Sequence, residues 1–260
     1  MAEPALATRR QDDDTRRADR LDIGFTSTDA MKLNREFRGA DAEEFLEAML
    51  VDRLPGELAV VSSFGTESAV LLHLVSRIAP ATPVIFLETG KHFPETLEYR
   101  DQLAERFGLT NIVNAGPDPA ELAARDEKGL RWSYDPDGCC DLRKVRPLER
   151  ALAGFSGSIT GRKAFQATTR TLVPRVEAVD GKLKINPLIT WTKEDLDAAF
   201  AANNLPHHPL EDCGYPSIGC APCTSKVQPG EDPRSGRWRG WDKTECGIHT
   251  PLKPGEEPSF

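Results

Sequence analysis

The chain has 260 residues and a formal net charge of −8. That length allows one sizeable hydrophobic core or two small ones, and the acidic balance argues against a general nucleic-acid binder, because phosphate binding needs a basic surface. No apolar run approaches the ~18 residues of a membrane span, and the polar N-terminus shows no signal-peptide pattern. We therefore expect a cytoplasmic protein whose six cysteines are thiols or metal ligands rather than disulfides.

The first half of the chain alternates between predicted helices and strands. Residues 1–28 are polar and predicted to be disordered. Helices are predicted near Ala30–Phe37, from Asp41 to about Arg53, and at Ser68–Ile78, Pro94–Phe107 and Pro119–Asp126. Apolar strands are predicted at Leu58–Val61, Pro83–Leu87 and Asn111–Asn114. Because apolar strands alternate with helices, we predict a mostly parallel α/β sheet covered by helices on both faces.

The second half contains fewer predicted elements and ends in an irregular segment. A loop at Trp132–Asp137 is followed by a helix at Asp141–Leu152 interrupted by Pro147, a strand at Ser158–Thr160, a hairpin of Arg175–Val179 and Leu183–Ile185 turning at Asp180-Gly181, and a helix capped by Thr192. Residues 226–260 show no helical or strand period. We predict one nucleotide- and metal-binding domain over 29–225 and a mobile C-terminal tail or lid over 226–260.

The turn after the first strand has the composition of an anion-binding loop. It reads Ser62-Ser63-Phe64-Gly65-Thr66-Glu67-Ser68 and leads directly into a helix. Small residues let backbone N–H groups approach an anion, and the helix N-terminus favours negative charge. The turn is neither a Walker A loop nor Gly-x-Gly-x-x-Gly, and an ordinary turn capped by Ser62 or Ser63 is the competing interpretation. Leu87, at the end of the next strand, is predicted to form the neighbouring wall.

Four cysteines form two pairs, the doublet Cys139-Cys140 and the pair Cys220 and Cys223. Zinc sites usually take Cys-x2-4-Cys at both ends, so the doublet fits zinc less well than an iron–sulfur cluster, which offers separate irons to adjacent thiolates. Zinc and a chance pairing of structural cysteines stay open as alternatives. A helix starting after Gly138 is expected to direct its positive end toward the metal.

Two further groups accompany the cysteine pairs. Lys144 follows Cys140 by four residues, so we expect both on one helix face, with Lys144 between metal and an anionic ligand. Cys246 is preceded by the cations of Arg234, Arg237, Arg239 and Lys243 and followed by His249. Cations favour the reactive thiolate, so we expect this tail to fold over a bound anion. An exposed cysteine in a mobile end is the competing interpretation.

Together these segments resemble the assimilatory sulfonucleotide reductases, specifically the adenylyl-sulfate (APS) reductase branch. The resemblance covers about residues 58–250. The matching stretches are Ser62-Ser63-Phe64-Gly65, Leu87-Glu88-Thr89-Gly90, Phe93-Pro94-Glu95-Thr96, Cys139-Cys140 with Arg143-Lys144-Val145, Gly161-Arg162 with Gln166, Tyr215-Pro216-Ser217-Ile218-Gly219-Cys220-Ala221-Pro222-Cys223-Thr224, Gly236-Arg237-Trp238 and Glu245-Cys246-Gly247-Ile248-His249. The last of these is the most diagnostic.

The resemblance implies an adenine nucleotide alpha-hydrolase-like fold and a thioredoxin-dependent reduction of APS to sulfite and AMP. It implies a [4Fe–4S] cluster on Cys139, Cys140, Cys220 and Cys223. It implies catalytic roles for Cys246, which would carry an S-sulfonate, and for Lys144 and His249. The implied substrate-binding residues are Ser62, Ser63, Phe64, Gly65, Leu87, Gly161, Arg162, Arg234 and Arg237. Thioredoxin is expected to be a separate protein, and a homo-oligomer is compatible with the sequence.

Some positions depart from the family pattern, and other functions compete. Phe165 stands where a charged residue is common in the family, and Ala167 stands where many relatives have Ser. Glu88 replaces a common Asp, and Cys213 belongs to no motif. A reductase of 3′-phosphoadenylyl sulfate (PAPS) is the nearest alternative, although such enzymes generally lack both cysteine pairs. A tRNA thiolation enzyme of the ATP-pyrophosphatase type and a non-enzymatic metal sensor are more remote. A tRNA thiolation enzyme needs a Ser-Gly-Gly-x-Asp-Ser loop to activate ATP, and this chain has no such loop. A metal sensor would leave Cys246 unexplained.

Overall fold

The computed structural model describes residues 24–166 and 170–248. The helices in these ranges are Ser27–Glu36 (α1), Ala42–Glu47 (α2), Ser68–Ile78 (α3), Pro94–Phe107 (α4), Pro119–Asp126 (α5), Pro136–Cys140 (α6), Arg146–Leu152 (α7) and Lys193–Ala202 (α8). The strands are Leu58–Ser62 (β1), Val84–Leu87 (β2), Ile112–Ala115 (β3), Gly157–Thr160 (β4), Val176–Val179 (β5) and Lys182–Ile185 (β6). Short π-helical turns follow α2 at Ala48–Arg53 and α6 at Asp141–Val145, and 3-10 turns lie at Arg131–Ser133, Ala164–Gln166 and Ala221–Cys223. None of the described helices has the length and apolar character needed to cross a membrane.

The strands form one six-stranded sheet in the order β3-β2-β1-β4-β6-β5. Every neighbouring pair is parallel except β5 and β6, which form the antiparallel hairpin. Val60 of β1 pairs with Val84 of β2 on one side and with Ile159 of β4 on the other. The predicted mostly parallel sheet is therefore confirmed. The strand order reverses direction at β1, and ligands of open α/β sheets bind at such a switch point, beyond the carboxyl ends of the strands.

Both faces of the sheet are covered, because its central strands alternate side chains between two apolar layers. Val60 and Phe86 pack in the larger layer with Leu72 of α3. Ile85 faces the opposite layer, where it packs with Leu148 of α7. Alternation with a period of two is the geometry of a strand, and burial on both faces explains why these strands read as continuous apolar runs.

Local sequence signals place most of the elements. The capping boxes at Asp41 and Thr192 begin α2 and α8 as predicted. The hairpin turn is confirmed at Asp180 and Gly181, which have φ values of 51° and 75°. Positive φ at both central residues is what a tight hairpin with the natural strand twist requires. Of the segment 1–28 predicted to be disordered, residues 1–23 lie outside the described residues, whereas residues 24–28 are described and α1 begins at Ser27 after its cap at Thr26.

The region of the cysteine doublet differs from the prediction. The expected loop at Trp132–Asp137 ends early, because Pro136 already begins α6 and Asp135 caps it by accepting from the N–H of Gly138 at 2.8 Å. The doublet therefore closes this five-residue helix instead of beginning one after Gly138. Pro147 does not interrupt the following helix either. It is the second residue of α7, directly after a π-helical turn in which the N–H of Arg146 donates to the carbonyl of Asp141, so the helical run changes its hydrogen-bond pattern before Pro147 and does not end there.

One buried histidine ties α4 to the loop after α8. His208 is 1% exposed, and its Nδ1 accepts from the N–H of Leu210 at 3.1 Å. The proton therefore resides on Nε2, which donates to Thr96 Oγ1 at 3.0 Å. Protonating Nδ1 would break the bond to Leu210. Burial accordingly lowers the pKa of His208 to about 4, against a smaller opposing effect of Glu95.

We expect this histidine to make the fold acid-sensitive. The unfolded chain binds a proton here below pH ~6.5 and the folded chain only below about 4, so stability is lost as pH falls through that window. The loss amounts to about 3 kcal/mol in the free energy of unfolding. Urea unfolding from pH 7 to 4 measures it. His208→Gln should flatten the pH dependence, whereas the matched variant at its exposed neighbour, His207→Gln, should keep it; an equal slope in both variants would refute the assignment.

Candidate active site

A cavity of about 550 Å³ opens at the carboxyl ends of β1, β2 and β4, at the switch point of the sheet. It brings together predicted site residues from segments far apart in the chain. They are Ser62, Ser63, Gly65, Leu87, Lys144, Gly161, Arg162, Cys220, Arg234, Arg237 and Cys246. Lysines and arginines outnumber carboxylates among its described lining residues by seven to four. In a chain of net charge −8, this local excess of positive charge favours an anionic ligand.

The turn after β1 forms one wall of this cavity through its backbone. Ser62 Oγ accepts from the N–H of Phe64 at 3.1 Å, and Phe64 takes a φ of 48°. The Phe64 side chain is fully buried and packs edge-on against Phe86 at 5.5 Å, so it belongs to the core and not to the cavity. The assignment of Phe64 to substrate binding stays a prediction, and its side chain does not line the cavity.

The helix after this turn begins without a side-chain cap. Glu67 is the N-cap residue of α3 and makes no capping hydrogen bond. The alternative interpretation, in which Ser62 or Ser63 caps the helix, is therefore wrong. Residues 65–68 line the cavity. The positive end of α3 is thus directed at the cavity, where backbone N–H groups stabilise negative charge.

Lys144 stands where the two cysteine pairs and the tail thiol meet. It is half-buried and lines the cavity. Burial lowers the pKa of its ammonium group, but the negative charge of the surrounding cysteine thiolates outweighs burial and raises that pKa above its ordinary value. These cysteines are Cys220, Cys246 and Cys140. Lys144 is therefore positively charged at neutral pH. The role of Lys144 between a metal and an anionic ligand stays a prediction.

The four paired cysteines are free thiols that influence one another. Cys139, Cys140 and Cys220 are buried, and Cys223 is half-buried. Burial raises the pKa of Cys139 and of Cys140 to about 11, against the opposing charges of neighbouring cations. Burial also raises the pKa of Cys220, but Lys144 and a contact of 3.4 Å with Thr89 Oγ1 outweigh it, so the net shift is downward. Among the described residues, no three His, Cys, Asp or Glu side chains converge closely enough to hold a single metal ion.

A buried ion pair fixes the helical segment that carries the doublet. Arg143 Nη2 lies 2.7 Å from Asp126 Oδ2, and its Nη1 donates to the carbonyl of Thr89 at 2.7 Å. Asp126 also accepts from the N–H of Arg131 at 2.8 Å. Arg143 thereby connects α5, the end of β2 and the turn after Cys140. The sequence marks Arg143 only as part of a motif, and nothing near Asp126 indicates that it is the partner.

The described part of the tail, 226–248, is anchored at Trp238. This residue is 3% exposed, and its backbone N–H donates to the backbone carbonyl of Cys223 at 3.0 Å. The Arg237 guanidinium lies 4.5 Å from the Trp238 ring centroid, and its Nη1 donates to the carbonyl of Ile218 at 3.1 Å. Arg237 Nε is buried and lacks a hydrogen-bond partner within the described structure. Farther along, Lys243 pairs with Asp137 of α6. The tail thus lies against both cysteine pairs.

The arginines predicted to bind an anion differ in how far their guanidinium groups are already engaged by protein partners. Arg162 is buried, donates to Asn186 Oδ1 at 3.0 Å and pairs with Glu177. Arg234 donates to the carbonyl of Thr244 at 2.8 Å and approaches Glu245. Of these three arginines, only Arg237 has a buried side-chain nitrogen, its Nε, without a hydrogen-bond partner among the described residues. The assignment of these residues to substrate binding stays a prediction.

Sequence reasoning missed the charged residues Lys163 and Arg170 of the cavity and the contacts that they and Gln166 make. Lys163 and Gln166 both donate to Glu67 Oε2, at 2.7 and 2.6 Å. Arg170 contacts Glu245, which precedes Cys246. Lys163 is adjacent to the predicted site residue Arg162, which is a local signal for it. The contacts with Glu67 and Glu245 join segments distant in sequence, and no local signal indicates them. His249 and Ala167 lie outside the described residues, while Phe165 is a half-exposed residue of the cavity wall and Cys213 is exposed.

Comparison with known proteins assigns the fold and the family. Residues 57–226 match the phosphoadenosine phosphosulfate reductase domain family. A protein named adenosine 5′-phosphosulfate reductase from Mesorhizobium japonicum is 53% identical over 206 residues, which cover 79% of this chain and 81% of the relative. A phosphoadenosine 5′-phosphosulfate reductase from Gloeobacter violaceus is 40% identical over 232 residues, covering 87% and 96%.

A solved structure agrees with these relatives. The phosphoadenylyl-sulfate (PAPS) reductase of Candida auris, in a phosphate complex, superimposes with a TM-score of 0.65 at 28% identity, over 79% of this chain and 99% of that one. Its mostly parallel sheet architecture is shared with the present chain. Sequence, fold and cavity position therefore lead to one conclusion: the chain belongs to the phosphoadenosine phosphosulfate reductase domain family.

Proposed function

We propose that this chain reduces APS to sulfite and AMP, with thioredoxin as the reductant, as a cytoplasmic enzyme of sulfate assimilation. The observation that carries the proposal is the position of Cys246. This thiol lines a cationic cavity at the switch point of a nucleotide-binding type of sheet, close to Lys144. Relatives up to 53% identical are named adenosine 5′-phosphosulfate reductase. A metal sensor would need neither the thiol nor the cations there.

The reaction has two covalent steps. The Cys246 thiolate attacks the sulfur of APS, and a bond forms between Cys246 Sγ and that sulfur. The bond between the sulfur and the AMP oxygen breaks, and AMP leaves with its electron pair. A thioredoxin thiolate then attacks Cys246 Sγ and displaces sulfite, giving a mixed disulfide. The second thioredoxin thiol resolves this disulfide and restores Cys246. The two electrons that reduce the sulfur therefore come from the thioredoxin dithiol.

The cavity offers positive groups where this reaction places negative charge. Lys144 is held charged beside Cys246, which favours approach of a sulfate group to the thiol. The unused Nε of Arg237 is a donor suited to an oxyanion, because a guanidinium presents several N–H groups in a fixed plane. The uncapped N-terminus of α3 fits the nucleotide's phosphate. These groups also disperse the charge of the departing AMP.

A [4Fe–4S] cluster is part of the same proposal. Cys139, Cys140, Cys220 and Cys223 would hold it, because four thiolates are the donor set of such clusters and these thiols lie close enough to affect one another. When bound, the cluster supplies a fixed charge beside Lys144 and undergoes no redox step. Burial of thiols among Lys144, Arg143 and Thr89 fits an anionic group. Iron analysis and a visible absorption spectrum distinguish the cluster from zinc.

PAPS is the competing substrate, because the relative from Gloeobacter violaceus is named for it at 40% identity. The two nucleotides differ only by a 3′-phosphate, which the cationic cavity does not exclude by charge. Comparing kcat/KM for APS and PAPS decides between them. A preference for PAPS would overturn the substrate assignment and leave the thiol chemistry intact.

A mass spectrum tests the reaction directly. Incubating the enzyme with APS and no reductant should add about 80 Da, the mass of one SO3 group, to Cys246. Thioredoxin should remove this mass and release one sulfite. An enzyme that forms sulfite without the adduct would refute the covalent mechanism. An enzyme that forms neither would refute the proposed function.

Gly219 gives a test of the Arg237 position. A Cβ at residue 219 would lie 2.0 Å from Arg237 Nη2 and 2.4 Å from its Cζ, so alanine must displace the guanidinium. We expect Gly219→Ala to raise the KM for APS about tenfold, because a charge-assisted contact is lost, and to lower the melting temperature slightly through the disturbed contacts of Arg237 with Ile218 and Trp238. Gly39→Ala, where a Cβ meets nothing within 4 Å, is the matched control. An unchanged KM would show that Arg237 does not bind substrate.

A further inference from the structure

Glu245, the residue before Cys246, lies in a clamp of two arginines. Arg170 Nε donates to Glu245 Oε1 at 2.8 Å, and Arg170 Nη2 donates to Oε2 at 3.0 Å. Arg234 Nη2 contacts the same Oε2 at 3.3 Å and the carbonyl of Thr244 at 2.8 Å. The bidentate geometry with Arg170 is the strongest that a carboxylate forms with one guanidinium.

The clamp is shielded from water and supported from behind. The side chains of Arg170, Glu245 and Arg234 are 10%, 17% and 19% exposed. Arg170 Nη1 donates to Gln166 Oε1 at 2.6 Å, and Gln166 is held in turn by Glu67 at the start of α3. A continuous chain of hydrogen bonds thus connects the tail to the cavity wall. Partial burial and fixed partners make such a pair stronger than an ion pair on the surface.

This arrangement determines where the Cys246 thiol lies. Trp238 and the Lys243 pair with Asp137 anchor the tail upstream, and Glu245 is the held side chain directly before the thiol. With both held, Cys246 is half-buried in the cavity wall near Lys144. The clamp also engages Arg170 and Arg234, so their charges are balanced by Glu245 in this closed arrangement.

We propose that Glu245 is a positioning residue, which through Arg170 and Arg234 holds the Cys246 thiol over the cavity for attack on sulfur and must release it before thioredoxin can reach the sulfonated thiol. The proposal rests on the proposed function and adds the clamp to it. It assigns Arg234 to holding the tail instead of contacting the substrate anion. It also implies opposite demands: the first covalent step needs the clamp closed, and the second needs it open.

Two half-reactions measured separately test these demands. In single-turnover experiments at saturating APS, Glu245→Gln should slow S-sulfonation of Cys246 by about 10- to 100-fold, the loss expected for one charge-assisted pair. Release of sulfite from the preformed S-sulfonate by thioredoxin should be unchanged or faster. Glu245→Asp should recover part of the first rate. Equal slowing of both steps, or no slowing of the first, would overturn the proposal.

A double-mutant cycle tests the partner. Arg170→Met should slow S-sulfonation as Glu245→Gln does, and the double variant should be no slower than either single variant, because one interaction is lost in all three. Arg237→Met, which lies outside the clamp, should multiply the effect of Glu245→Gln. Additive losses for Glu245 and Arg170 would show that they do not act as a pair.

Alkylation of the substrate-free enzyme separates the clamp from the reaction. Iodoacetamide should modify Cys246 about tenfold faster in both Glu245→Gln and Arg234→Met. These variants change the local charge in opposite directions, so a shared acceleration reports opening of the tail. Exposed Cys213 serves as the internal reference. If both variants were alkylated at the rate of the unaltered enzyme, the clamp would be overturned even if S-sulfonation occurs. If the unaltered enzyme formed no S-sulfonate, only the proposed function would be overturned.

Discussion

Replacing Cys246 by serine should abolish sulfite production and leave the iron content that the proposed cluster predicts unchanged. The thiol is the nucleophile in the proposed reaction, and a serine hydroxyl lacks the reactivity of a thiolate, so we expect kcat/KM to fall at least about a thousandfold. Cys246 lines the cavity and belongs to neither cysteine pair, so its loss leaves the four paired thiols in place. Sulfite formation, the mass of the protein after APS treatment, and iron content are the three measurements.

Cys213→Ser is the matched control, because Cys213 is an exposed thiol that belongs to no pair. This variant should keep full activity and still gain the sulfonate. If Cys246→Ser kept activity while Cys213→Ser lost it, Cys213 would be the nucleophile and the cavity would have been assigned to the wrong thiol. Loss of iron in Cys246→Ser would instead place Cys246 among the metal ligands.

Replacing Arg143 by methionine should produce the largest loss of stability from a single site residue. The Arg143 and Asp126 side chains are 7% and 2% exposed, so the substitution leaves the Asp126 carboxylate buried without its partner. Removing one member of a buried pair costs about 3–5 kcal/mol in the free energy of unfolding. Urea unfolding followed by circular dichroism measures this loss.

The double variant separates a lost pair from a lost contact. Asp126→Leu added to Arg143→Met removes the uncompensated carboxylate and should recover most of the loss, because an apolar pair of similar volume replaces two buried charges at little cost. Arg125→Met, at the exposed neighbour of Asp126, should change stability by less than about 0.5 kcal/mol. A double variant as unstable as Arg143→Met alone would mean that the contact of Arg143 with Thr89 is the important one.

The regular elements were predictable because their signals are local. α3 and α4 begin and end at the predicted residues, Ser68–Ile78 and Pro94–Phe107. Pro94 fixes the first turn of α4, and Gly108 ends it in the left-handed conformation with a φ of 63°. The gathering of motifs at one sheet edge was also predictable, since parallel strands bring their carboxyl ends together.

The features that the sequence analysis did not predict depend on partners that the local sequence does not show. Whether the Phe64 side chain points into the cavity or the core is set by a positive φ and by Phe86 on the next strand. The start of α6 depends on the Asp135 side chain, which a loop-like composition conceals. The clamp at Glu245 joins residues 75 positions apart. No periodicity or spacing rule encodes such a contact.

The anchor at Trp238 sets a limit on how far the reactive sulfur can travel. Only about eight residues separate this anchor from Cys246, so a fully extended segment reaches at most ~27 Å. Within that radius the thiol behaves as a tethered reagent whose effective concentration near the cavity is of millimolar order or higher. Under the proposed function, a sulfonated Cys246 would therefore reach a thioredoxin at the rim of the cavity and return without a diffusional search. Lengthening the tether by a flexible insert after Gly240 should slow the return step while leaving the affinity for nucleotide intact.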